Sequence, residues 1–317
     1  MAKYIGKRFL YMVILLVIMS VFAFIVIQLP PGDYLTSYIA NLQQQMGEVD
    51  QSVVEALKAR YGMDKPMWEQ YFLWIRNMFQ GDFGQSFQWQ MPVKDLLFSY
   101  MPMTVLLSVI TLVFSYAVAV PIGIYSARHQ YSIGDYTASV FGFIGLATPS
   151  FFLALVLMYY ANQYLGLSVG GFFSPEYINA PWSIDKFWDL CKHLIIPVVV
   201  IGLQSMANII RILRASLLDE LKRPYVVAAR ARGLKENKMI YKFPVRVALN
   251  PIISSIGSVL PSIVSGATVT AIVLNIPTVG SLLYNALLSQ DMYLAGGSIL
   301  FLTMLTIVGM FISDVLL

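Results

Sequence analysis

The residues able to do chemistry are concentrated in one polar stretch, Arg223-Pro224-Tyr225-Val226-Val227-Ala228-Ala229-Arg230-Ala231-Arg232-Gly233-Leu234. Pro224 suits the first turn of a helix, where its missing N–H costs nothing. The run through Arg232 can be helical, and Gly233 is placed to cap it, since the left-handed residue after a helix is usually glycine. A second helix can start near Glu236. The chemistry here is association rather than bond-making: Ala228 and Ala229 leave little bulk, so a partner can approach the backbone closely. Arg230, Arg232 and Lys235 surround that patch with positive charge. A plainer reading places these cations at lipid headgroups. It accounts for the charges, but not for two adjacent alanines followed by a capping glycine.

Bond-making chemistry finds little support. The sequence has no G-x-x-x-x-G-K-[ST] loop to cradle ATP phosphates. His129 and His193 fall near opposite ends of different apolar runs and read as interfacial polar residues. The single cysteine, Cys191, can form neither an intrachain disulfide nor a Cys-rich metal site. No catalytic residue, no metal site and no cofactor of this chain are therefore expected, and nothing calls for a nucleic-acid partner.

A second set of candidates lies inside apolar runs: Asn162 and Gln163; Gln204, Ser205 and Asn208; Thr268, Thr270 and Asn275. Polar groups against lipid are costly, so they mark pathways or hydrogen bonds between helices. Gln204 and Asn208 are four apart and share a helix face. Asn162, Gln204, Asn208, Thr268 and Asn275 are the candidates for lining a pathway. Gly123, Gly142, Gly145, Gly257 and Gly266 read as packing points.

The elements that position these groups follow from composition. Of 317 residues, 58% are hydrophobic and 12% charged, about half the charge of a typical soluble domain; mean hydropathy is +0.69. Six runs are apolar enough for the ~20 residues that a spanning helix needs. They are Phe9 to about Gln28, a stretch within Leu96 to Ala127, Tyr136 to Leu165, His193 to Leu218, Ile252 to Leu274, and Met292 to Ser313. The long fifth uncharged run has room for a re-entrant piece. The first run is not a cleaved signal peptide, since Pro30-Pro31-Gly32-Asp33 follows it without a small-x-small site.

Orientation comes from the basic residues. With the N-terminus in the cytoplasm, and with Arg211 and Arg214 near the end of the fourth run counted on that side, the inside holds 14 basic and 5 acidic residues, and the outside 7 and 12. The expected architecture is an all-α polytopic membrane protein with six transmembrane helices. Residues 1–29 hold the N-terminus and first span, and 30–100 an extracytoplasmic insertion. Residues 101–317 hold the remaining five spans, with the cytoplasmic loop at 219–248. In the insertion, Gln51 to Tyr61 and Pro66 to Phe79 read as helices. The aromatics of the second (Trp68, Tyr71, Phe72, Trp74 and Phe79) suit either headgroup anchoring or contact with a delivery protein.

The polar stretch resembles the Ala-Ala-x-x-x-Gly loop of bacterial ABC importer permeases, whose short helix docks in a groove of the ATPase subunit and transmits its closing motion. The usual leading Glu is replaced by Val227. The form Tyr225…Ala229-Arg230-Ala231-Arg232-Gly233-Leu234 is similar to the oligopeptide/dipeptide/nickel branch, where that Glu is typically absent. Matches continue in order along the chain. They run from Tyr4 to Arg8 with Pro31-Gly32-Asp33, through Tyr61-Gly62-Met63-Asp64-Lys65-Pro66, to Gly81-Asp82-Phe83-Gly84-Gln85-Ser86 with Pro92-Val93. Pro102-Met103-Thr104, Pro121-Ile122-Gly123, Thr148-Pro149-Ser150-Phe151 and Asn250-Pro251 extend them. The sequence ends at Asp314-Val315-Leu316-Leu317, short of the basic tail usual in the branch, as an incompletely represented C-terminus would.

The resemblance implies a type I ABC importer permease in the inner membrane of a prokaryote. It implies a second homologous permease subunit, two ATP-binding subunits that hold the ATP and Mg, and an extracytoplasmic solute-binding protein. The docking set carried over is Tyr225, Ala228, Ala229, Arg230, Arg232, Gly233 and Leu234. The solute implied is a short peptide, with oligosaccharides or another small solute as alternatives and nickel complexes last. A secondary carrier or a membrane scaffold would be a different class. The docking-type loop and the lack of an obvious inverted repeat speak against a carrier.

Overall fold

A computed structural model describes residues 2–28, 65–86, 88–166 and 170–316, together with Glu55 and Ala59. The motifs at Pro31-Gly32-Asp33 and Tyr61 to Asp64, and all of the helix expected from Gln51 to Tyr61 but Glu55 and Ala59, lie outside the described residues. Those residues form twelve helices, joined by turns and one isolated bridge between Gln85 and Pro92. They are α1 (Ala2–Gln28), α2 (Met67–Phe79), α3 (Val93–Arg128), α4 (Ile133–Ala147), α5 (Ser150–Leu165) and α6 (Ile184–Glu220). The series continues with α7 (Pro224–Ala231), α8 (Glu236–Lys242), α9 (Pro244–Ala248), α10 (Asn250–Val273), α11 (Val279–Leu288) and α12 (Met292–Leu316).

Five of these helices are long and apolar enough to cross a membrane, or six where the bent pair α4–α5 counts as one span. The expected third span, Tyr136 to Leu165, is that pair: α4 and α5 meet at 106° across Thr148 and Pro149. Proline has no N–H to continue the helix and pushes the residue before it out of the α region. Thr148 accordingly sits at φ −89°, ψ 124°. The fifth uncharged run also divides, into α10 and the ten-residue α11. Helices α3 and α6, at 36 and 37 residues, are each about 55 Å long at 1.5 Å per residue. They outrun a hydrocarbon core of about 30 Å.

The chain forms two compact units, Met1–Pro102 with Thr278–Leu305, and Met103–Pro277 with Thr306–Leu317. In the first, Ala23, Phe24 and Ile27 of α1 pack in one core with Trp74, Val93, Leu97, Leu282 and Leu294. The α2 aromatics divide: Trp74 is buried and Tyr71 partly so, while Trp68, Phe72 and Phe79 are exposed. The Tyr71 hydroxyl meets Ser20 at 2.7 Å. Buried Asp291 accepts hydrogen bonds from the Ser86 hydroxyl and the Gln88 and Leu294 N–H groups, tying the 81–92 turn to the start of α12. Gly84 (φ +90°) lies against the Tyr293 ring, where a Cβ would stand 2.5 Å from a ring carbon. Gly84 thus has a steric cause, whereas Gly81, at φ +83°, answers to backbone conformation.

In the second unit α6 is the central helix, meeting α4, α5, α9 and α10. Buried Leu213 and Leu217 anchor its lower half; Leu190, Leu194, Val198 and Ile201 anchor its upper half. His193, expected at the interface, is buried on α6, with Nδ1 2.8 Å from the Asp189 carbonyl oxygen. Asp189 in turn accepts the N–H and hydroxyl of Ser174 at 2.7 Å. Helix α4 is fixed to α6 by a two-pronged ion pair: Arg214 Nε and Nη2 donate to Asp135 at 2.8 and 2.7 Å. The Asp135 side chain is 3% exposed, so removing its partner strands a buried charge, and removing Asp135 strands a guanidinium that keeps some solvent.

Asp135→Ala should therefore lower the stability of the detergent-solubilised protein by about 3 kcal/mol, the low end for breaking a buried pair. The Asp135→Ala/Arg214→Leu double variant should recover part of that loss. Thermal unfolding of the three proteins side by side checks it.

Candidate functional site

Helix α6 runs straight to the polar stretch. After Glu220 the chain turns once, and α7 begins at Pro224, the first helical residue as expected. Glu220 holds the entry: it accepts the Tyr225 hydroxyl, and Arg223 Nε lies 3.6 Å from it. Burial, with the Glu220 carboxylate beside it, pushes the Tyr225 hydroxyl up to about 12. Tyr225 is therefore a neutral donor at any physiological pH.

Two residues of α7 face inward. Val226 is 0% and Ala229 8% exposed, and both join Leu213, Leu217, Met239 and Ile240 in one core. Tyr225, Val227 and Ala228 are exposed. This corrects the picture of two adjacent alanines on one docking face. Ala229 is small because it is packed inside this chain. Ala228 alone is the small outward residue, flanked by Tyr225 and Val227.

Gly233 ends the helix as its position implies. It sits at φ +74°; its N–H bonds to the Arg230 carbonyl at 2.9 Å, and the Leu234 N–H bonds to that of Ala229 at 3.4 Å. This double closure is the Schellman cap. A Cβ at Gly233 would meet nothing within 4 Å, so the demand for glycine is backbone conformation alone. Across the turn Arg230 grips Glu236, with Nη2 2.6 Å and Nε 3.1 Å from Oε1. The guanidinium holds the Glu236 carboxyl below its ordinary range. The pair's contribution is present at neutral pH and is lost as pH falls through that lowered value. Both groups are about half exposed, so it amounts to ~0–1 kcal/mol. Arg128 reaches Asn237 and lies over the Tyr241 ring, joining α3 to α8. Arg232 and Leu234 remain exposed.

The polar candidates in the spans separate. Gln204, Ser205 and Asn208 of α6 line a groove of about 300 Å³ with Ser150, Ser262 and Ser265. Gly266, expected as a packing point, opens onto the same groove. Thr268 instead donates to the Val264 carbonyl of its own helix. Asn275 has a capping role: at φ +52° it follows α10, and the Ile276 N–H bonds back to Ala271 at 2.7 Å. Asn162 is exposed on α5, away from the groove. Ser150, Ser262 and Ser265 were missed because serine alone is a weak signal; their spacing against the Gln204 face was not readable before α6 and α10 were paired.

An all-α bundle with spanning helices and a capped helix–turn–helix after its longest span defines a polytopic membrane component. Residues 119–317 match the family described as "Binding-protein-dependent transport system inner membrane component". Residues 1–108 match the corresponding N-terminal family. The chain belongs to this family, the membrane-embedded permease subunits of ABC importers. It is 32% identical over its whole length, and over 97% of the relative, to the oligopeptide transport system permease protein AppB of Bacillus subtilis. It is 31% identical, with the same coverage, to OppB of Haemophilus influenzae, an oligopeptide transport system permease protein. Over 99% of this chain and 89% of the relative, it is 28% identical to the nickel import system permease protein NikB of Staphylococcus aureus.

The inward placement of Ala229 separates two substitutions that look alike in the sequence. Ala229→Trp overpacks the core and should destabilise the protein by about 1–3 kcal/mol. Ala228→Trp adds the same bulk to an exposed position and should leave stability within about 0.5 kcal/mol. Thermal unfolding in detergent distinguishes them.

Proposed function

We propose that this chain forms half of the translocation pathway of an importer for short peptides, handed over by an extracytoplasmic binding protein. A second, homologous permease completes the pathway, and two separate ATPase subunits supply the energy and hold ATP and Mg. This subunit contributes no catalytic group and no cofactor. The full-length likeness to relatives named for oligopeptide transport supports the solute class.

The observation that carries the mechanism is the outward face of α7. Tyr225, Val227 and Ala228 are presented by a helix whose other face is buried in the bundle and whose end is closed at Gly233. In this reading the face seats in a cleft of the ATPase. Motion of the ATPase then moves α6 directly, because Val226 and Ala229 share a core with Leu213 and Leu217. The excess of basic residues in the segments flanking α7 supports a cytoplasmic N-terminus and loop, with residues 30–100 outside.

Uptake and ATPase activity of the complex reconstituted in liposomes test this reading. Ala228→Trp and Gly233→Val should each cut peptide uptake at least tenfold and reduce ATPase co-purification, at equal membrane abundance. In Gly233→Val the strained backbone costs of order 1–3 kcal/mol. Normal uptake and ATPase association in Ala228→Trp would contradict the docking role. Cysteines introduced at Ser52 and Lys238 should label from opposite sides of the membrane; labelling from one side would overturn the topology.

A further inference from the structure

The polar face of α6 does not end at the groove. Gln204, Asn208 and Arg211 follow at i, i+4 and i+7, one above the other on the helix. The Asn208 amide donates to the Gln204 carbonyl at 3.4 Å, and Arg211 Nη2 reaches the Asn208 side-chain oxygen at 3.5 Å. Arg211 lies seven residues before Leu218, where the fourth span was expected to end, so about 10 Å of helix separates it from that boundary. Three neighbouring cations each meet a carboxylate: Arg214 meets Asp135, Arg223 meets Glu220 and Arg230 meets Glu236. Arg211 is exposed and, among the described residues, meets only the neutral Asn208.

A guanidinium at this depth is costly against hydrocarbon and is accommodated where it faces water or an anion. The groove above it is lined by hydroxyls and amides without a charge. Such a surface hydrogen-bonds an amide backbone without reading side-chain charge. The stripe is thus neutral along the groove and cationic at its end nearer the α7 loop, matching a neutral chain that ends in a carboxylate.

Building on the peptide-importer reading above, we propose that Arg211, held by Asn208, receives the C-terminal carboxylate of the translocating peptide and sets a preference for solutes with a free acid end. A carboxylate takes two parallel N–H donors from a guanidinium, and the single long contact to Asn208 leaves the other donors of Arg211 available. The competing source of an anion at this face is a lipid headgroup phosphate.

The test is uptake by the reconstituted complex at saturating binding protein. A peptide is compared with its C-terminal amide in wild type, Arg211→Gln and Arg211→Lys. Wild type should move the free acid at least fivefold faster. Arg211→Gln should bring that ratio close to one by slowing the acid, and Arg211→Lys should restore most of it. A second arm is independent of amide delivery: Arg211→Cys in a Cys191→Ser background is modified with a cationic or an anionic thiol reagent. The cationic adduct should recover free-acid uptake and the anionic one should not. A ratio unchanged by Arg211→Gln, as contact with lipid headgroups alone would give, or equal effects of the two adducts, would overturn the proposal while leaving peptide import standing. No peptide uptake in wild type would overturn the functional reading and this inference together.

Discussion

Two inward side chains, Val226 and Ala229, fix the short helix α7 to the bundle. An eight-residue helix cannot hold itself together in water, because nucleation is costly and few bonds repay it. It persists here for three reasons. One face is buried against Leu213, Leu217, Met239 and Ile240; its N-terminus begins on a proline that needs no hydrogen bond; and its C-terminus is closed by a glycine in the left-handed region. With all three, a displacement of the outward face is carried into α6 through packed side chains, since cores are dense and transmit strain.

The same logic of satisfied backbone groups explains the irregular places in the spans. At Thr148-Pro149 the chain cannot remain one helix, and the bend turns α4 and α5 by 106°. After α10 the left-handed Asn275 closes one helix, and the Thr278 and Ser281 side chains cap the next. The first break lies where proline removes a helical N–H, and the second where a left-handed asparagine and the Thr278 and Ser281 side chains satisfy the freed groups. Polar side chains supply the rest: Asp135 with Arg214, Asp291 with Ser86, and Asp189 with Ser174.

The legible part of the sequence was that governed by local rules. The span positions, the helix at Pro66 to Phe79, the loop helix from Pro224 and the capping role of Gly233 follow from apolar run length and residue chemistry. The bend at Pro149 was equally local, yet the uncharged run on either side hid it. Side-chain direction was not legible. Ala228 and Ala229 are adjacent and chemically identical; only tertiary packing sends one outward and the other into the core. For the same reason Gln204 and Asn208 fell on the groove as their spacing implied, whereas Asn275, similar in type, serves as a cap. The Asp135–Arg214 pair joins residues 79 apart in sequence, a pairing that no helical period encodes.

Site-specific photo-crosslinking from single positions of α7, in the assembled complex, tests the central claim most directly. A photoreactive residue at Ala228 should form a crosslink to an ATPase subunit, and the same residue at Ala229 should yield only intramolecular products. Crosslinking to the ATPase from Ala229 as strongly as from Ala228, or from neither, would contradict the claim that α7 presents one face to a partner and buries the other in the bundle.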